Sequence, residues 1–531
     1  MTIPQPCRVA GGVAAAWILA FGAPQQALAQ VATPVTPALE LVPELAAPAD
    51  GRMLSSPADL AARLEQLLQD PALLPAHTGL SVEVAETGQV LFRHHAAKRF
   101  VPASNTKIVS AAVALAELGA DYTWTTRLLA DGPIVDGTLN GNLWIVGGGD
   151  PHLTRDSLLA WPELLRQAGI ERIQGAVIGD DLAFEDPQWG AGWMWDDLYA
   201  SWGSGVSALQ LSPNRVRGGV VAGAALGSPA TLFQSTEGPV VPIINRVRTG
   251  APGSEVRLRF MPPPEGGTVE LVGWVPLSPD TTRLSIATPH PTMYLLDFVG
   301  EMLRLEGITV DSGWRRAEPD EEPAQVFWSH DVISEPLSRV LDLVLKPSDN
   351  QMAETLLLTL GLEEGKAGTA EEGLEVVSDR LARWGIAPDA VELTDGSGMS
   401  RYNQVTPDAL VRLLRAVWRR ADFPVFYSAL PVAGVDGTLQ RRMIRTPAER
   451  NATAKTGSLS AVRALSGYLT AGDGSTLVFS LLINGYAAPG SVATAIEDLL
   501  VEQLSLYRRA VPPGWPGDLD AVEAQRGGLG E

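Results

Sequence analysis

The spacing of apolar residues predicts helices towards both ends of the chain. Ser56-Pro57 precedes Leu60, Leu64 and Leu67, which recur at helical spacing and predict a helix starting at about Pro57. Further helices are predicted at about 104–118, at 292–305, from 351 onward and near 492–507.

Alternating and continuous apolar runs on either side of short turn sequences predict two β-hairpins. The first joins residues 80–86 to 89–94 across Thr87-Gly88. The second joins residues 462–471 to 476–484 across a Gly-Asp-Gly turn. One hairpin near each end of the chain allows both end segments to contribute to a single sheet.

The middle of the chain has a different character. From about Tyr122 to Gln325 there are many short apolar runs broken by Gly, Pro, Asp and Asn, which predicts a β-rich region. Helical patterns return from about Glu335. We therefore expect an α/β (α+β) domain, with an antiparallel sheet and flanking helices, built from both ends and interrupted by the β-rich middle.

Composition narrows the class of protein. A chain of 531 residues is too long for one core, so two or three domains are expected. With 45% hydrophobic and 19% charged residues it is globular. A net charge of −21 argues against nucleic acid as a partner. The single cysteine, Cys7, rules out a disulfide framework and a cysteine metal site.

The beginning of the chain is typical of an export signal. Arg8 precedes an apolar stretch at 9–23, and Ala27-Leu28-Ala29 supplies a small-x-small cleavage pattern. We expect residues 1–29 to be removed, leaving a periplasmic protein without a transmembrane anchor; an uncleaved anchor is the alternative. Residues 30–54 are predicted to be a linker and 509–531 a disordered tail.

Ser104-Asn105-Thr106-Lys107 is the first motif with chemical potential. It opens a predicted helix, so Ser104 and Lys107 share one face and the hydroxyl lies at the positive end of the helix dipole. A serine beside an amine is what a nucleophile needs when no histidine base is present. An ordinary N-cap serine followed by a solvated lysine is the alternative.

Two later motifs carry complementary groups. Ser348-Asp349-Asn350 precedes a predicted helix; Ser348 can relay a proton, and Asn350 can accept from an ammonium and donate to a carbonyl. Lys455-Thr456-Gly457 starts a predicted edge strand, where the Lys and Thr can bind a carboxylate and the Gly admits a close backbone. The alternatives are an N-cap cluster and a solvated edge-strand lysine.

In this order the three motifs resemble the signature of serine penicillin-recognising enzymes. Ser104 and Ser348 are 244 residues apart, and Ser348 and Lys455 are 107 apart. That pattern resembles the D-alanyl-D-alanine carboxypeptidase/endopeptidases of the DacB type, also called penicillin-binding protein 4, which carry two extra domains between the first two motifs. Three other segments look similar to that family: Val146–Pro151, Gly179–Asp181 and Asp395–Arg401.

The resemblance implies a division into domains. A penicillin-recognition domain is expected from residues 55–121 and 328–508. The inserted second domain is expected from 122–212 and 277–327. A small third domain is expected to be nested at 213–276.

The resemblance also implies roles for individual residues. Ser104 would attack the carbonyl between two D-Ala residues, with Lys107 as base, Ser348 as the proton relay and Asn350 and Lys455 beside them. Backbone N–H groups of Ser104 and Ser458 would form the oxyanion hole. The substrate-binding residues expected are Thr456, Gly457, Ser458, Asp197, Trp202 and Arg401, of which Asp197 and Arg401 would bind the diaminopimelate side chain of a peptidoglycan stem peptide. The neighbouring Asp196 leaves a one-residue ambiguity.

The partners implied are peptidoglycan stem peptides and β-lactams; no cofactor and no metal are expected. His94 and His95, adjacent in a strand, should point to opposite faces and cannot share a metal. Two other functions stay open: a β-lactamase or esterase on the same fold, and a non-catalytic penicillin-binding sensor. Release of D-alanine separates an enzyme from a binder, and turnover of β-lactams separates a β-lactamase from a peptidase.

Overall fold

The computed structural model describes residues 54–509, apart from residues 186, 236–237, 263–267 and 366. The predicted signal, the predicted linker up to residue 53 and the predicted tail from residue 510 lie outside the described residues. Within the described part of the chain, none of the helices has the length and apolar character needed to cross a membrane.

The described residues contain the following elements. The α-helices are α1 (Pro57–Leu68), α2 (Thr106–Leu118), α3 (Arg155–Leu158), α4 (Trp161–Gln167), α5 (Pro291–Leu305), α6 (Leu337–Leu345), α7 (Asn350–Glu364), α8 (Ala370–Arg383), α9 (Pro407–Trp418), α10 (Phe423–Ala429) and α11 (Gly490–Leu506). The strands are β1 (His77–Val84), β2 (Val90–His94), β3 (Thr125–Ala130), β4 (Ile134–Val135), β5 (Thr138–Leu139), β6 (Leu143–Val146), β7 (Arg172–Ile173), β8 (Val177–Asp180), β9 (Arg215–Val221), β10 (Thr231–Gln234), β11 (Ile243–Asn245), β12 (Arg248–Gly250), β13 (Arg257–Met261), β14 (Val269–Pro276), β15 (Thr282–Ala287), β16 (Thr309–Val310), β17 (Trp314–Arg316), β18 (Trp328–Ile333), β19 (Val391–Glu392), β20 (Gln404–Val405), β21 (Thr453–Leu459), β22 (Val462–Thr470) and β23 (Thr476–Asn484).

One antiparallel sheet joins the two ends of the chain. Its strand order is β2-β1-β23-β22-β21. Both predicted hairpins are present in it, and β1 pairs with β23, with His77 opposite Asn484. The prediction of an antiparallel sheet closed by both end segments is confirmed.

Helices cover both faces of this sheet because its central strands are apolar on both sides. Along β23, Val478 and Leu482 face the core that contains α2, α6, α7 and α9. Leu477, Leu481 and Ile483 face the opposite core, which contains α1 and α11. Burying a large apolar side chain of this kind stabilises the fold by about 1.5–3 kcal/mol. The sheet is therefore a rigid support for the residues at its edge.

In the residues that the structure describes, the middle region forms four smaller sheets. Two of them, β17-β8-β6-β3-β18 and β16-β7-β5-β4, pack with α5. The other two are β10-β9-β15 and a sheet in which β11, β12 and β13 all pair with β14. The prediction of a β-rich middle with a helix at 292–305 is confirmed, while the short helices α3 and α4 were not predicted.

Two strand pairings bear on where the middle region ends. β15 pairs with β9, so the nested sheet continues beyond residue 276. β18 pairs with β3, so the chain leaves the middle region after Ile333. Both strands follow the residues at which the family resemblance placed the boundaries, and pairing between strands distant in sequence leaves no local signal. The limits of the individual domains stay predictions.

Candidate active site

Ser104 lies in a tight turn that leads directly into α2. Ala103–Asn105 forms one turn of 3-10 helix, and α2 begins at Thr106. Ala103 has a positive φ of 47°, which is uncommon for a residue with a Cβ. Ser104 is half-buried, whereas Lys107 is fully buried. Ser104 is therefore the accessible member of the pair.

Lys107 contacts the first motif, the second motif and the Asp395–Arg401 turn. Its Nζ donates to Ser104 Oγ at 3.0 Å, to Asn350 Oδ1 at 2.6 Å and to the backbone oxygen of Ser397 at 2.6 Å. Burial lowers the pKa of Lys107 to about 8, although the negative charges of Asp395, Glu354 and Asp349 oppose this shift. A lysine with this pKa is partly neutral near physiological pH and can accept a proton.

Lys455 and Ser348 form a second hydroxyl–amine pair. Lys455 Nζ donates to Ser348 Oγ at 2.9 Å and to the backbone oxygen of Thr456 at 2.9 Å. Burial, and then the like charge of Lys107, lower the pKa of Lys455 well below its usual value. Ser348 has a positive φ of 65°, so its loop is held in an uncommon conformation by its surroundings.

The loop that carries Ser348 is fixed from both sides. Asp349 caps α7 by accepting from Met352 N at 3.1 Å, and it also forms an ion pair with Arg215 of β9 at 2.7 Å. Asn350 Nδ2 donates to the backbone oxygen of Trp202 at 2.7 Å. Both contacts reach into the middle region, so the inserted part of the chain holds the second motif in place.

The edge strand β21 presents backbone groups beside the two hydroxyls. Ala454 N donates outward to Pro431 O at 2.9 Å. Because backbone groups alternate in direction along a strand, the N–H groups of Thr456 and Ser458 point to the same outer edge. Thr456 Oγ1 donates to Thr438 Oγ1 at 2.7 Å. The edge therefore offers two N–H groups and two hydroxyls to a ligand.

Gly457 is required for a reason that differs from the expected one. A Cβ at this position would lie 2.6 Å from Pro102 O and 3.2 Å from the Cβ of Ala103. Its neighbours are therefore the residues just before Ser104 rather than the open edge. The absence of a side chain brings β21 against the turn that carries the first serine.

The Asp395–Arg401 segment is a turn organised by a buried carboxylate. Asp395 accepts hydrogen bonds from Gly398 N at 2.8 Å, Ser400 N at 2.6 Å and Trp193 Nε1 at 3.1 Å. Gly398 has φ of 87°, and a Cβ there would lie 1.9 Å from Ala103 O. The turn is thus pressed against the nucleophile turn and directs the Ser397 carbonyl to Lys107.

Asp197, Trp202 and Arg401 lie close to one another, and Arg401 ends the turn just described. Trp202 Nε1 donates to Asp197 Oδ1 at 2.8 Å. Burial raises the pKa of Asp197, and the positive charge of Arg401 partly opposes the rise. Arg401 donates to the backbone oxygen of Ser460 at 2.8 Å. Asp196 instead forms an ion pair with Arg259 at 2.9 Å, so it is already neutralised within the middle region.

Four residues around the site were not singled out from the sequence: Glu354, Ser397, Thr438 and Arg215. Ser397 contacts Lys107 through its backbone oxygen, which any residue type could supply. Arg215 reaches Asp349 from a strand distant in sequence, and Thr438 reaches Thr456 from a 3-10 turn 18 residues earlier. Glu354 is the exception, because an acidic residue among the apolar positions of a core helix was a visible signal.

The expectation for the two adjacent histidines is wrong in its geometry. The rings of His94 and His95 have centroids 4.2 Å apart, because His95 has a positive φ of 44° and ends the strand. The alternation of side chains does not extend to it. Among the residues that the structure describes, no three or more His, Cys, Asp or Glu side chains are grouped so as to hold a metal ion.

Comparison with protein families assigns the chain to one of them. Residues 60–505 match the D-Ala-D-Ala carboxypeptidase 3 (S13) family, a span that covers most of the chain. The chain belongs to this S13 family. It is a serine-type D-Ala-D-Ala carboxypeptidase that acts on peptidoglycan, and the enzyme class predicted from the three motifs is confirmed.

Individual S13 relatives agree over most of their length. The D-alanyl-D-alanine carboxypeptidase of an Actinomadura species is 32% identical over 501 residues, which are 92% of this chain and 91% of that protein. D-alanyl-D-alanine carboxypeptidase DacB of Haemophilus influenzae is 27% identical over 419 residues, 78% of this chain and 86% of that protein. The resemblance to the DacB type is therefore confirmed.

A solved structure agrees with the fold of this S13 enzyme. Penicillin binding protein 4 (dacB) from Haemophilus influenzae matches with a TM-score of 0.75 and 27% identity over 84% of this chain and 99% of that chain. A second structure of that protein, in complex with a β-lactam, matches with a TM-score of 0.71 and 25% identity. The predicted penicillin-recognition fold is confirmed.

Proposed function

We propose that this S13 enzyme works by acyl transfer through Ser104. The single observation that carries the proposal is the 3.0 Å contact between Lys107 Nζ and Ser104 Oγ, in which the lysine is buried and the serine is accessible. When neutral, Lys107 accepts the hydroxyl proton as Ser104 Oγ bonds to the carbonyl carbon between two D-Ala residues. The C–N bond to the terminal D-Ala then breaks.

The second hydroxyl–amine pair supplies the proton that the leaving group needs. Ser348 accepts a hydrogen bond from Lys455 and passes a proton to the nitrogen of the departing D-Ala. Asn350 keeps Lys107 in position through its side-chain oxygen. A water molecule then attacks the ester on Ser104: its hydroxide bonds to the acyl carbon, and Lys107 returns its proton to Ser104 Oγ as the ester C–O bond breaks and the shortened stem peptide is released. The proton left by the water restores the Ser348–Lys455 pair.

The outer edge of β21 binds the substrate in this proposal. The N–H groups of Ser104 and Ser458 stabilise the oxyanion, and losing one such donor typically costs about 10²–10³-fold in rate. Lys455 and Thr456 bind the terminal carboxylate, and Thr438 joins them through its hydroxyl. Gly457 contributes by letting this edge approach the nucleophile turn.

Asp197, Trp202 and Arg401 recognise the third residue of the stem peptide in this proposal. Diaminopimelate ends in an ammonium and a carboxylate, which suit a carboxylate and a guanidinium respectively. Asp197 is favoured over Asp196 because Arg259 already pairs with Asp196. The donor stem of a cross-link can keep a free diaminopimelate side chain that uses the same groups, so the proposal includes endopeptidase activity on D-Ala–diaminopimelate bonds.

β-Lactams enter the same path and inhibit the enzyme in this proposal, because the leaving nitrogen remains tethered after the ring opens and blocks water. The complex of the Haemophilus influenzae protein with a β-lactam supports this for a relative. Export to the periplasm through the signal at 1–29 is proposed as well. A β-lactamase and a non-catalytic sensor are disfavoured, since the family match is to carboxypeptidases.

Labelling with a fluorescent penicillin tests the proposal. Wild-type protein should be labelled on one peptide containing Ser104, and Ser104→Ala should lose the label. Lys107→Ala should label about 10²–10⁴-fold more slowly, the usual contribution of a general base. Release of free D-alanine from a pentapeptide stem should disappear in parallel. Full labelling of Ser104→Ala would refute the assignment of the nucleophile.

A further inference from the structure

A buried carboxylate lies beneath the site without facing the substrate edge. Glu354 is on α7, one turn after Asn350, and only 5% of it is exposed. Its Oε2 accepts from Gly396 N at 3.0 Å and its Oε1 accepts from Ser397 N at 2.8 Å. Both oxygens are therefore used to hold two consecutive peptide groups.

The carbonyl that binds Lys107 belongs to the next peptide group, between Ser397 and Gly398, and is joined to the held groups through the Cα of Ser397. The Ser397 oxygen accepts from Lys107 Nζ at 2.6 Å, and Ser110 Oγ donates to the Gly396 oxygen at 2.7 Å. Asp395 holds the other side of the same turn. A shift of the Gly396–Ser397 peptide would therefore move the contact that fixes the lysine.

We propose that Glu354 is a positioning residue for acyl transfer, fixing the Ser397 carbonyl that holds Lys107 Nζ against Ser104 Oγ. The inference rests on the proposed function, since it gives Lys107 the role of base. Glu354 acts through the turn, and no contact with the substrate is required of it. A misplacement of about 1 Å in such a constellation can cost about 10²-fold in rate.

The chemistry of the two hydrogen bonds explains why a carboxylate is needed. An ionised carboxylate accepts on both oxygens, whereas a glutamine would turn its NH₂ group towards one of the two N–H donors. A buried N–H group left without a partner destabilises the turn. Glutamine is therefore close to isosteric with Glu354 but cannot make the same pair of contacts.

Glu354 also contributes charge. Lys107 is surrounded by the carboxylates of Asp395, Glu354 and Asp349 and by the like charge of Lys455. Burial and the negative charge of Asp395 raise the pKa of Glu354, whereas the hydrogen bonds from Ser397 and Gly396 favour its ionised form. Removing this carboxylate takes away one group that favours the ammonium, so the pKa of Lys107 should fall further.

The experiment compares Glu354→Gln with wild type across pH. The rates measured are penicillin acylation and D-alanine release. In the plot of rate against pH, the plateau rate should fall about 10–100-fold because the base is misplaced. The ascending limb of the same plot should move to lower pH, because neutral Lys107 is the base and its pKa is lower in the variant. Glu363→Gln, which removes an exposed carboxylate from the same helix, is the matched control and should leave both quantities unchanged.

Glu354→Asp separates position from charge and provides a second test where the glutamine variant is poorly folded. It keeps the charge but shortens the reach, so its plateau should fall while the limb stays near the wild-type pH. A wild-type plateau in the Asp variant, or a Gln variant that melts at lower temperature with an unmoved limb, would overturn the inference. Ser104→Ala is run alongside: if it still acylates, the proposed function fails instead.

Discussion

Gly457→Ala tests whether the distance between β21 and the nucleophile turn controls the reaction. The added Cβ would lie 2.6 Å from Pro102 O, 3.0 Å from the Cβ of Ala464 and 3.2 Å from the Cβ of Ala103. The first contact is with a backbone oxygen, which cannot rotate away. The strand or the turn must move by roughly 0.8 Å to restore an ordinary contact.

A shift of that size separates groups on the two elements. Ser104 follows the turn, while Lys455 and the N–H group of Ser458 move with β21, and each of them must reach the same carbonyl. Since a misplacement of about 1 Å costs about 10²-fold, acylation by penicillin should slow by about 10–100-fold. Overpacking of this kind also destabilises a protein by about 1–3 kcal/mol.

The assay is the second-order rate of labelling by a fluorescent penicillin, measured together with the melting temperature. Gly490→Ala is the matched control, because a Cβ there approaches only the flexible ends of Arg463 and Tyr486. The control should acylate at the wild-type rate. If Gly457→Ala acylated as fast as the control and melted at the same temperature, the reasoning about close approach would be refuted.

Three further predictions concern the rest of the site. Because the pKa of Lys107 is lowered to about 8, acylation should rise roughly tenfold per pH unit below 8 and level off above it, as a pH series of labelling rates will show; a rate independent of pH from 6 to 8 contradicts this. Arg215→Ala removes the partner of Asp349 and should lower kcat for D-alanine release about tenfold or more, with the melting temperature as control. Asp197→Ala and Arg401→Ala should each reduce the preference for stem peptides with free over acylated diaminopimelate by about 10–100-fold while sparing penicillin acylation; unchanged preference in both contradicts the clamp.

The features that could be predicted from sequence are those whose signal is local. The start of α2 near Ser104 and the start of α7 near Asn350 follow from turn residues and helical spacing within a few positions. The hairpins of the main sheet follow in the same way. Motif order then identified the family, because three short patterns in one order are far more specific than any one of them.

The remaining features depend on contacts between distant parts of the chain. The Ser397 carbonyl reaches Lys107 across 290 positions, and Thr438 meets Thr456 from a separate loop. The positive φ of His95 turns its side chain away from the direction expected in a strand, and the residue type gives no sign of this. Periodicity says nothing about such contacts, since they are set by how the elements pack.

The inserted region has a direct physical connection to the chemistry. Arg215 neutralises Asp349, and the Trp202 carbonyl accepts from Asn350, so two of the three residues in the second motif are held by inserted strands and loops. Removing either contact would leave a polar group near the site without its partner. The middle region is therefore part of the active-site support.

The charge balance explains how lysine serves as a base here without histidine. Burial disfavours the charged form of both lysines, so the pKa values of Lys107 and Lys455 both fall, and the like charge of Lys107 lowers the pKa of Lys455 further. The nearby carboxylates of Asp395, Glu354 and Asp349 keep the pKa of Lys107 from falling further. A pKa near 8 is the result: enough neutral amine exists near neutral pH to accept the Ser104 proton, and the ammonium formed is still stabilised once it has that proton.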